Sequence, residues 1–127
     1  MGSSRFEDLR VYQLAERLAD KVWDVAVVWE RFARNTVGEQ LVGTADSVGA
    51  NIAEGAGRGT YQDNRRFVRI ARGSLNETKH FLRRAYQRKL INDHDVAVLK
   101  PVLDELGPKM NAYLKSIGKG APVTDDK

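Results

Sequence analysis

The stretch from residue 11 to residue 32, VYQLAERLADKVWDVAVVWERF, indicates the fold class, because its large apolar residues recur at helical spacing. These apolar residues are Val11, Leu14, Leu18, Val22, Val25, Trp29 and Phe32. The steps between neighbours in this series are 3, 4, 4, 3, 4 and 3 residues. This spacing places apolar side chains on one face of a helix. We therefore predict a long helix one over residues 6–33, with that face turned toward a core.

Three further helices are predicted downstream. Helix two covers residues 37–54, with a capping-box pattern at Thr36 and Glu39, and the glycine-rich segment 55–59 ends it in a left-handed cap. Helix three covers residues 61–89, and Thr60 marks its start. Helix four covers residues 93–117, where Pro101 and Pro108 predict a kink or a break. Short connections make successive helices antiparallel neighbours, so we expect an all-α, up-down-up-down four-helix bundle.

The size and composition of the chain fit one domain. Its 127 residues are 42% hydrophobic, enough for a single core. We assign residues 1–5 to an N-terminal extension, 6–117 to the bundle and 118–127 to a flexible C-terminal tail. The absence of cysteine excludes disulfides, thiolate catalysis and cysteine-type zinc sites. No membrane-spanning run or secretory signal is evident, so we expect a cytoplasmic protein without a membrane partner.

A concentration of basic residues on helix three is the main functional signal. Residues 60–90 hold nine Lys or Arg and two acidic residues, so this segment carries +7 and the rest of the chain −3. Like charges at helical spacing repel each other, so the pattern favours an anionic partner. The predicted nucleic-acid-binding residues are Arg65, Arg66, Arg69, Arg72, Lys79, Arg83, Arg84 and Arg88.

Two other interpretations of the basic residues remain open. They can form an ordinary solvated face, or pair with acids of another helix such as Asp20, Asp24 and Glu30. Base stacking on Tyr61 or Tyr86 is not expected, because neither residue falls within the arc of the arginines.

No catalytic, metal or cofactor site is predicted. The two histidines, His80 and His94, lack the carboxylate spacing of a helical metal site. The glycine-rich segment follows a helix and lacks the Gly-Lys-Ser/Thr ending of a phosphate-binding loop, so we interpret it as a turn. Five polar residues without an activating base are interpreted as a buried structural network between helices: Ser47, Asn51, Glu54, Ser74 and Glu77.

Helix one carries a second apolar surface beside its main face. Tyr12, Ala19, Trp23 and Val27 widen the apolar arc to about half of the helix. We predict that these four residues form a subunit interface, since aromatic residues favour such surfaces. The alternative is a helix with an unusually wide core face.

Three segments resemble a known protein family. They are FEDLRVYQLA at residues 6–15, QLVGTADSVGANIAEGAGR at 40–58 and RFVRIARGSLNE at 66–77. They are similar to four-helix bundle proteins encoded in intervening sequences of bacterial 23S ribosomal RNA genes. Accessory variability proteins of diversity-generating retroelements share this fold family. The similarity spans residues 6–117, although Val42-Gly43-Thr44 stands where the family often has basic residues.

The resemblance implies a bundle protomer that assembles as a ring-like homopentamer with a basic surface. For the retroelement branch, the resemblance implies that this surface contacts nucleic acid and a reverse transcriptase. Residues and resemblance together predict a non-enzymatic, basic homo-oligomer that binds RNA or DNA electrostatically. The alternative is a protein-interaction scaffold or accessory subunit, for example of a reverse transcriptase.

Overall fold

Four helices make up most of the chain in the computed structural model, which describes residues 5–119. Helix one is Arg10–Ala26, preceded by a 3-10 turn at Phe6–Asp8. Helix two spans residues 31–56, helix three is Tyr61–Gln87 and helix four is Asp93–Ser116. No strand occurs between residues 5 and 119, and the predicted all-α four-helix bundle is confirmed. Residues 1–4 of the predicted extension and 120–127 of the predicted tail lie outside the described residues.

Helix one ends seven residues earlier than predicted. The carboxylate of Glu30 accepts hydrogen bonds from the backbone N–H groups of Phe32 (2.9 Å) and Ala33 (2.8 Å), which starts a new helix there. Trp29 still packs into the core, but from the connection between the helices. Phe32 is 75% exposed, so its assignment to the core face of helix one is wrong.

Helix two begins before its predicted start at residue 37. It consists of a turn at Arg31–Ala33, a π-helical turn at Arg34–Gly38 and a regular helix at Glu39–Ala56. Thr36 lies inside this helix, where its hydroxyl donates to the carbonyl of Phe32 at 2.7 Å, so the predicted capping box is wrong.

The end of helix two also departs from the prediction. Gly57 has φ −88°, so the expected left-handed cap is absent. The glycine that matters is Gly55, which is buried where helix two approaches helix three. A Cβ atom there would lie 2.9 Å from the Cβ of Phe67, so only glycine permits this close approach.

Local signals set the ends of helices three and four. The Thr60 hydroxyl accepts the backbone N–H of Asp63 at 3.1 Å, which confirms the predicted start of helix three. The helix ends with Lys89 in the left-handed region at φ 63°, and Leu90 donates its N–H back to the carbonyl of Ala85 at 2.8 Å. Helix four begins at a capping box and continues through both prolines to Ser116, so of the predicted kink or break, the break does not occur.

The packing of the helices is uneven around the bundle. Helix two packs closely against helices one and three, and helix four packs mainly against helix one. Contact between helices three and four is sparser. The core is apolar, with Ser74 and Thr78 as its buried polar residues among those described. The sparse contact leaves an open groove beside the basic side of helix three.

Candidate nucleic-acid interface

The basic residues of helix three face outward because the opposite side of this 27-residue helix is the core side. The buried side carries Val68, Ala71, Ser74, Leu75, Thr78, Leu82 and Ala85. Seven buried positions at helical spacing fix the rotation of the helix. The predicted cations therefore lie on the exposed side and on its two flanks.

Two arginines of the predicted set hold helix three against the end of helix four. Arg65 donates from Nη1 to the carbonyl oxygen of Ile117 at 3.0 Å, and Arg72 donates from Nη1 to Oδ1 of Asn111 at 3.2 Å. Both acceptors are neutral. These hydrogen bonds therefore orient the guanidinium groups without cancelling their charge.

Two other predicted residues, Arg66 and Arg84, find their partners within helix three itself. Arg66 is 3.6 Å from the carboxylate of Asp63, and its guanidinium carbon lies 4.5 Å from the centre of the Phe67 ring. Arg84 donates to the side-chain amide oxygen of Gln87. In the predicted set, Arg66 is therefore the member that has an acidic partner within the described part of the chain.

The remaining four predicted cations are exposed, and we call them the basic row: Arg69, Lys79, Arg83 and Arg88. None of them makes an ion pair with any of residues 5–119. The acids of helix one do not pair with the basic row within that range, and Glu30 is occupied as a helix cap. Pairing with those acids, one of the two alternative interpretations, therefore finds no support in these contacts.

A groove of about 530 Å³ runs beside this row, between helices three and four. Its apolar lining consists of Leu82, Ile91, Val96, Leu99 and Leu103. Lys79, Arg83 and Tyr86 line it from helix three. Sequence reasoning missed the groove, although Val96 and Leu103 on the flank of helix four were a signal for it.

Tyr86 has a fixed position at this groove. Its hydroxyl donates to Oδ1 of Asp93 at 2.8 Å. The hydrogen bond to this carboxylate, together with its negative charge, raises the pKa of Tyr86 above the ordinary value for tyrosine. The other acid in the lining, Asp104, pairs with Lys100 at 2.9 Å. Both acids of the groove therefore have partners, whereas Lys79 and Arg83 have no acidic partner among residues 5–119.

The buried polar network predicted between helices is not formed by the residues assigned to it. The Ser47 hydroxyl donates to the carbonyl of Gly43 at 3.0 Å, and Asn51 donates to the carbonyl of Ser47 at 2.8 Å, both within helix two. Glu54 is exposed and pairs with Arg58 at 3.4 Å.

On helix three, Ser74 is buried but Glu77 is exposed. The polar contact that does join helices two and three is between the hydroxyl oxygens of Thr44 and Thr78, 3.2 Å apart. The network prediction is therefore wrong for Glu54 and Glu77, which are exposed, whereas Ser74 is buried as predicted.

The four residues of the predicted subunit interface differ in exposure to solvent. Trp23 and Val27 are exposed, Trp23 by 55%. Ala19 and Tyr12 are half-buried, and the Tyr12 ring packs edge-on against Phe6 with 4.9 Å between ring centres. Partial burial raises the pKa of the Tyr12 phenol.

The exposed apolar surface continues beyond the predicted interface. Val28 is also exposed, and so is Phe32, four residues further along the chain at the start of helix two. We define the apolar corner as Trp23, Val27, Val28 and Phe32. Sequence reasoning missed its second half because it placed Phe32 in the core.

Metal and membrane features are not found in the described residues. His80 and His94 are both exposed, and residues 5–119 contain no cluster of three or more His, Asp or Glu suited to hold a metal ion. Within the same range, every helix is too short or too polar to cross a bilayer.

Comparison with known families gives one match. Residues 7–112 match the family described as 23S rRNA-intervening sequence protein. The match covers most of the chain, with the first three helices and most of the fourth. No curated protein sequence matches the chain.

Proposed function

The chain belongs to the 23S rRNA-intervening sequence protein family, and we propose that it is a non-enzymatic, basic homo-oligomer that binds nucleic acid through helix three. The observation that carries this proposal is the group of exposed cations Arg69, Lys79, Arg83 and Arg88. Arg69, Lys79 and Arg83 lie in one 27-residue helix and Arg88 is its C-cap residue; none of the four has an acidic partner among residues 5–119. Such a row suits the regularly spaced phosphates of a nucleic acid backbone.

Arg65 and Arg72 add to the same surface. Their guanidinium groups are already oriented by the carbonyl of Ile117 and the amide of Asn111. A side chain that is ordered before binding loses less conformational entropy when a ligand arrives. A backbone phosphate therefore meets a charged surface that is partly preorganised.

The proposal is tested by the salt dependence of binding. In the row variant, Arg69, Lys79 and Arg83 are all replaced by glutamine, which lowers the formal charge from +4 to +1. We expect the plot of log Kobs against log salt to become shallower by about 2.1 for a single strand or about 2.7 for a duplex, per bound protomer. Fluorescence anisotropy with labelled RNA measures both slopes.

A matched control separates the position of the charges from their number. The variant Arg17→Gln, Lys21→Gln, Arg31→Gln has the same formal charge of +1, but its substitutions lie on helix one and at the start of helix two. Helix one makes no extensive contact with helix three. We expect this control to retain the wild-type slope. Equal slopes in the two variants, or no RNA binding by the wild type at low salt, would refute the proposal.

We place the subunit interface of the homo-oligomer at the apolar corner. An exposed patch with a tryptophan and a phenylalanine is typical of a surface that is covered in an assembly. The family resemblance supplies the expected count of five subunits. Light scattering should give the mass of the assembly, and Trp23→Glu should lower it. Ile70→Glu, at an exposed apolar residue of helix three, is the control. A wild-type monomer would refute the oligomer and leave the nucleic acid proposal standing.

The apolar corner also supports a second candidate function, an accessory subunit that docks a protein such as a reverse transcriptase. The two functions differ in what a pull-down recovers. A specific protein partner that is retained after nuclease treatment, and lost in Trp23→Glu, would favour the accessory role.

A further inference from the structure

We propose that the groove between helices three and four receives an unstacked nucleobase, so that the ligand class is single-stranded nucleic acid. This inference rests on the proposed function, because the same cations hold the backbone. It goes further by assigning a base-binding site beside the phosphate-binding row.

The first support is the shape and chemistry of the groove. It is an open space of about 530 Å³ with a floor of leucine, isoleucine and valine side chains from helices three and four. Covering this apolar floor with the flat ring of a base is favourable, because it removes apolar surface from water. A phosphate group gains nothing there, so the floor suits the base and not the backbone.

The second support is the aromatic ring of Tyr86. The ring is 47% exposed and lines the groove. The hydrogen bond from its hydroxyl to Asp93 holds the ring in place, so little side-chain freedom remains to be lost on binding. Aromatic rings beside a basic groove act as stacking platforms for the bases of single strands.

The third support is the position of the charges. Lys79 and Arg83 line the groove and also belong to the exposed row, about 6 Å apart along the helix axis. Of the two acids in the lining, Asp104 pairs with Lys100, whereas Asp93 accepts a hydrogen bond from the neutral Tyr86 hydroxyl and keeps its charge. An occupant therefore meets two cations without a described partner directly beside an apolar floor.

This combination distinguishes a single strand from a duplex. A duplex keeps its bases stacked and paired inside, so it presents phosphates to the row but no free base to the floor. A single strand places a phosphate on Lys79 or Arg83 and turns the adjacent base into the groove. The proposed contacts of helix three therefore extend from binding of the backbone to binding of a base in its C-terminal third.

The test compares three labelled ligands by fluorescence anisotropy with the full chain: a short oligoadenylate, an abasic strand of the same length and a duplex of that length. The abasic strand keeps the phosphates and lacks the bases. We expect oligoadenylate to bind at least about fivefold more tightly than the abasic strand. Tyr86→Ala should remove this preference and leave binding of the abasic strand unchanged.

Two controls isolate the role of the ring. Tyr86→Phe keeps the ring and loses the hydroxyl, so it should keep the preference for bases. Tyr61→Ala removes another exposed tyrosine of helix three, away from the groove, and should behave like the wild type. If Tyr86→Ala does not fold by circular dichroism, Leu103→Gln makes the half-buried floor of the groove polar without adding a ring or a charge, and should likewise remove the preference.

Each remaining result overturns the inference in a recognisable way. Equal affinity of the wild type for oligoadenylate and the abasic strand refutes the base site. It leaves intact the proposal of backbone binding, which the salt slope of the row variant tests separately. No binding of any of the three ligands refutes the proposed function as well. A fall in the mass of the assembly in Leu103→Gln or Tyr86→Ala would mean that a second copy of the chain covers the groove, which also refutes the base site.

Discussion

Replacing Gly55 by alanine tests the close approach of helices two and three, on which the position of the basic row depends. A Cβ atom added at Gly55 would lie 2.6 Å from Oδ1 of Asn64, 2.9 Å from Cβ of Phe67 and 3.1 Å from the backbone oxygen of Asn64. The amide side chain of Asn64 can rotate away. The other two atoms are in, or next to, the backbone of helix three, so the two helices must separate.

The size of the effect follows from two opposing terms. Overpacking a well-packed contact costs about 1–3 kcal/mol. Alanine gains up to about 1 kcal/mol over glycine inside a helix. Gly43 provides the matched control, because it lies in the same helix and a Cβ there meets nothing within 4 Å. Gly43→Ala should therefore stabilise the protein, and the difference between the variants should be at least the steric cost, about 1–3 kcal/mol.

Urea denaturation followed by circular dichroism measures this difference. All variants are compared at one protomer concentration, because assembly would make the free energy of unfolding depend on concentration. Unchanged m-values show that the variants unfold from equally compact states. A midpoint for Gly55→Ala at or above that of Gly43→Ala would contradict the close approach.

Three further predictions concern single side chains. Glu30→Ala removes the cap that accepts two backbone N–H groups, so the free energy of unfolding should fall by about 1 kcal/mol in urea denaturation. Asn111→Asp places a carboxylate on Arg72, so the salt slope for RNA binding should become shallower by up to about 1, while the fold by circular dichroism is unchanged. Asp93→Asn removes the negative charge at the hydroxyl of Tyr86; its pKa should return toward the ordinary value, so the phenol ionises at lower pH in a spectrophotometric titration.

The parts of the fold that the sequence predicted are those with local causes. Thr60 starts helix three because a hydroxyl before a helix accepts a free backbone N–H, and this needs no tertiary contact. The junction of helices one and two was mispredicted for the opposite reason. Apolar spacing continues through Trp29 and Phe32, but a glutamate cap at Glu30 and a π-helical turn divide the segment. Glutamate is not among the preferred capping residues, so periodicity alone favoured one long helix.

The sequence predicted which way the cations of the candidate site face, but not which residues they contact. The outward orientation of the cations follows from the spacing of apolar residues along helix three. Which arginines have partners depends on where helix four ends, since Ile117 and Asn111 supply the acceptors. The groove depends on the uneven packing around the bundle. Gly55 lets helices two and three approach closely, whereas Val96 and Leu103 on helix four remain half-buried beside the open space.

Helix four accepts hydrogen bonds from arginines of helix one and of helix three, and the two sets of acceptors differ in charge. Where helix four meets helix one, Arg10 forms a multiple hydrogen-bonded ion pair with Glu105, with N···O distances of 3.0 to 3.3 Å. Where helix four meets helix three, Arg65 and Arg72 bond to a carbonyl and an amide instead. A carboxylate would hold those arginines more strongly, since charge-assisted hydrogen bonds are the stronger kind. The Arg10 contact shows that helix four can also be held by a carboxylate. The neutral acceptors of Arg65 and Arg72 instead preserve the positive charge of helix three, which the proposed binding of a polyanion requires.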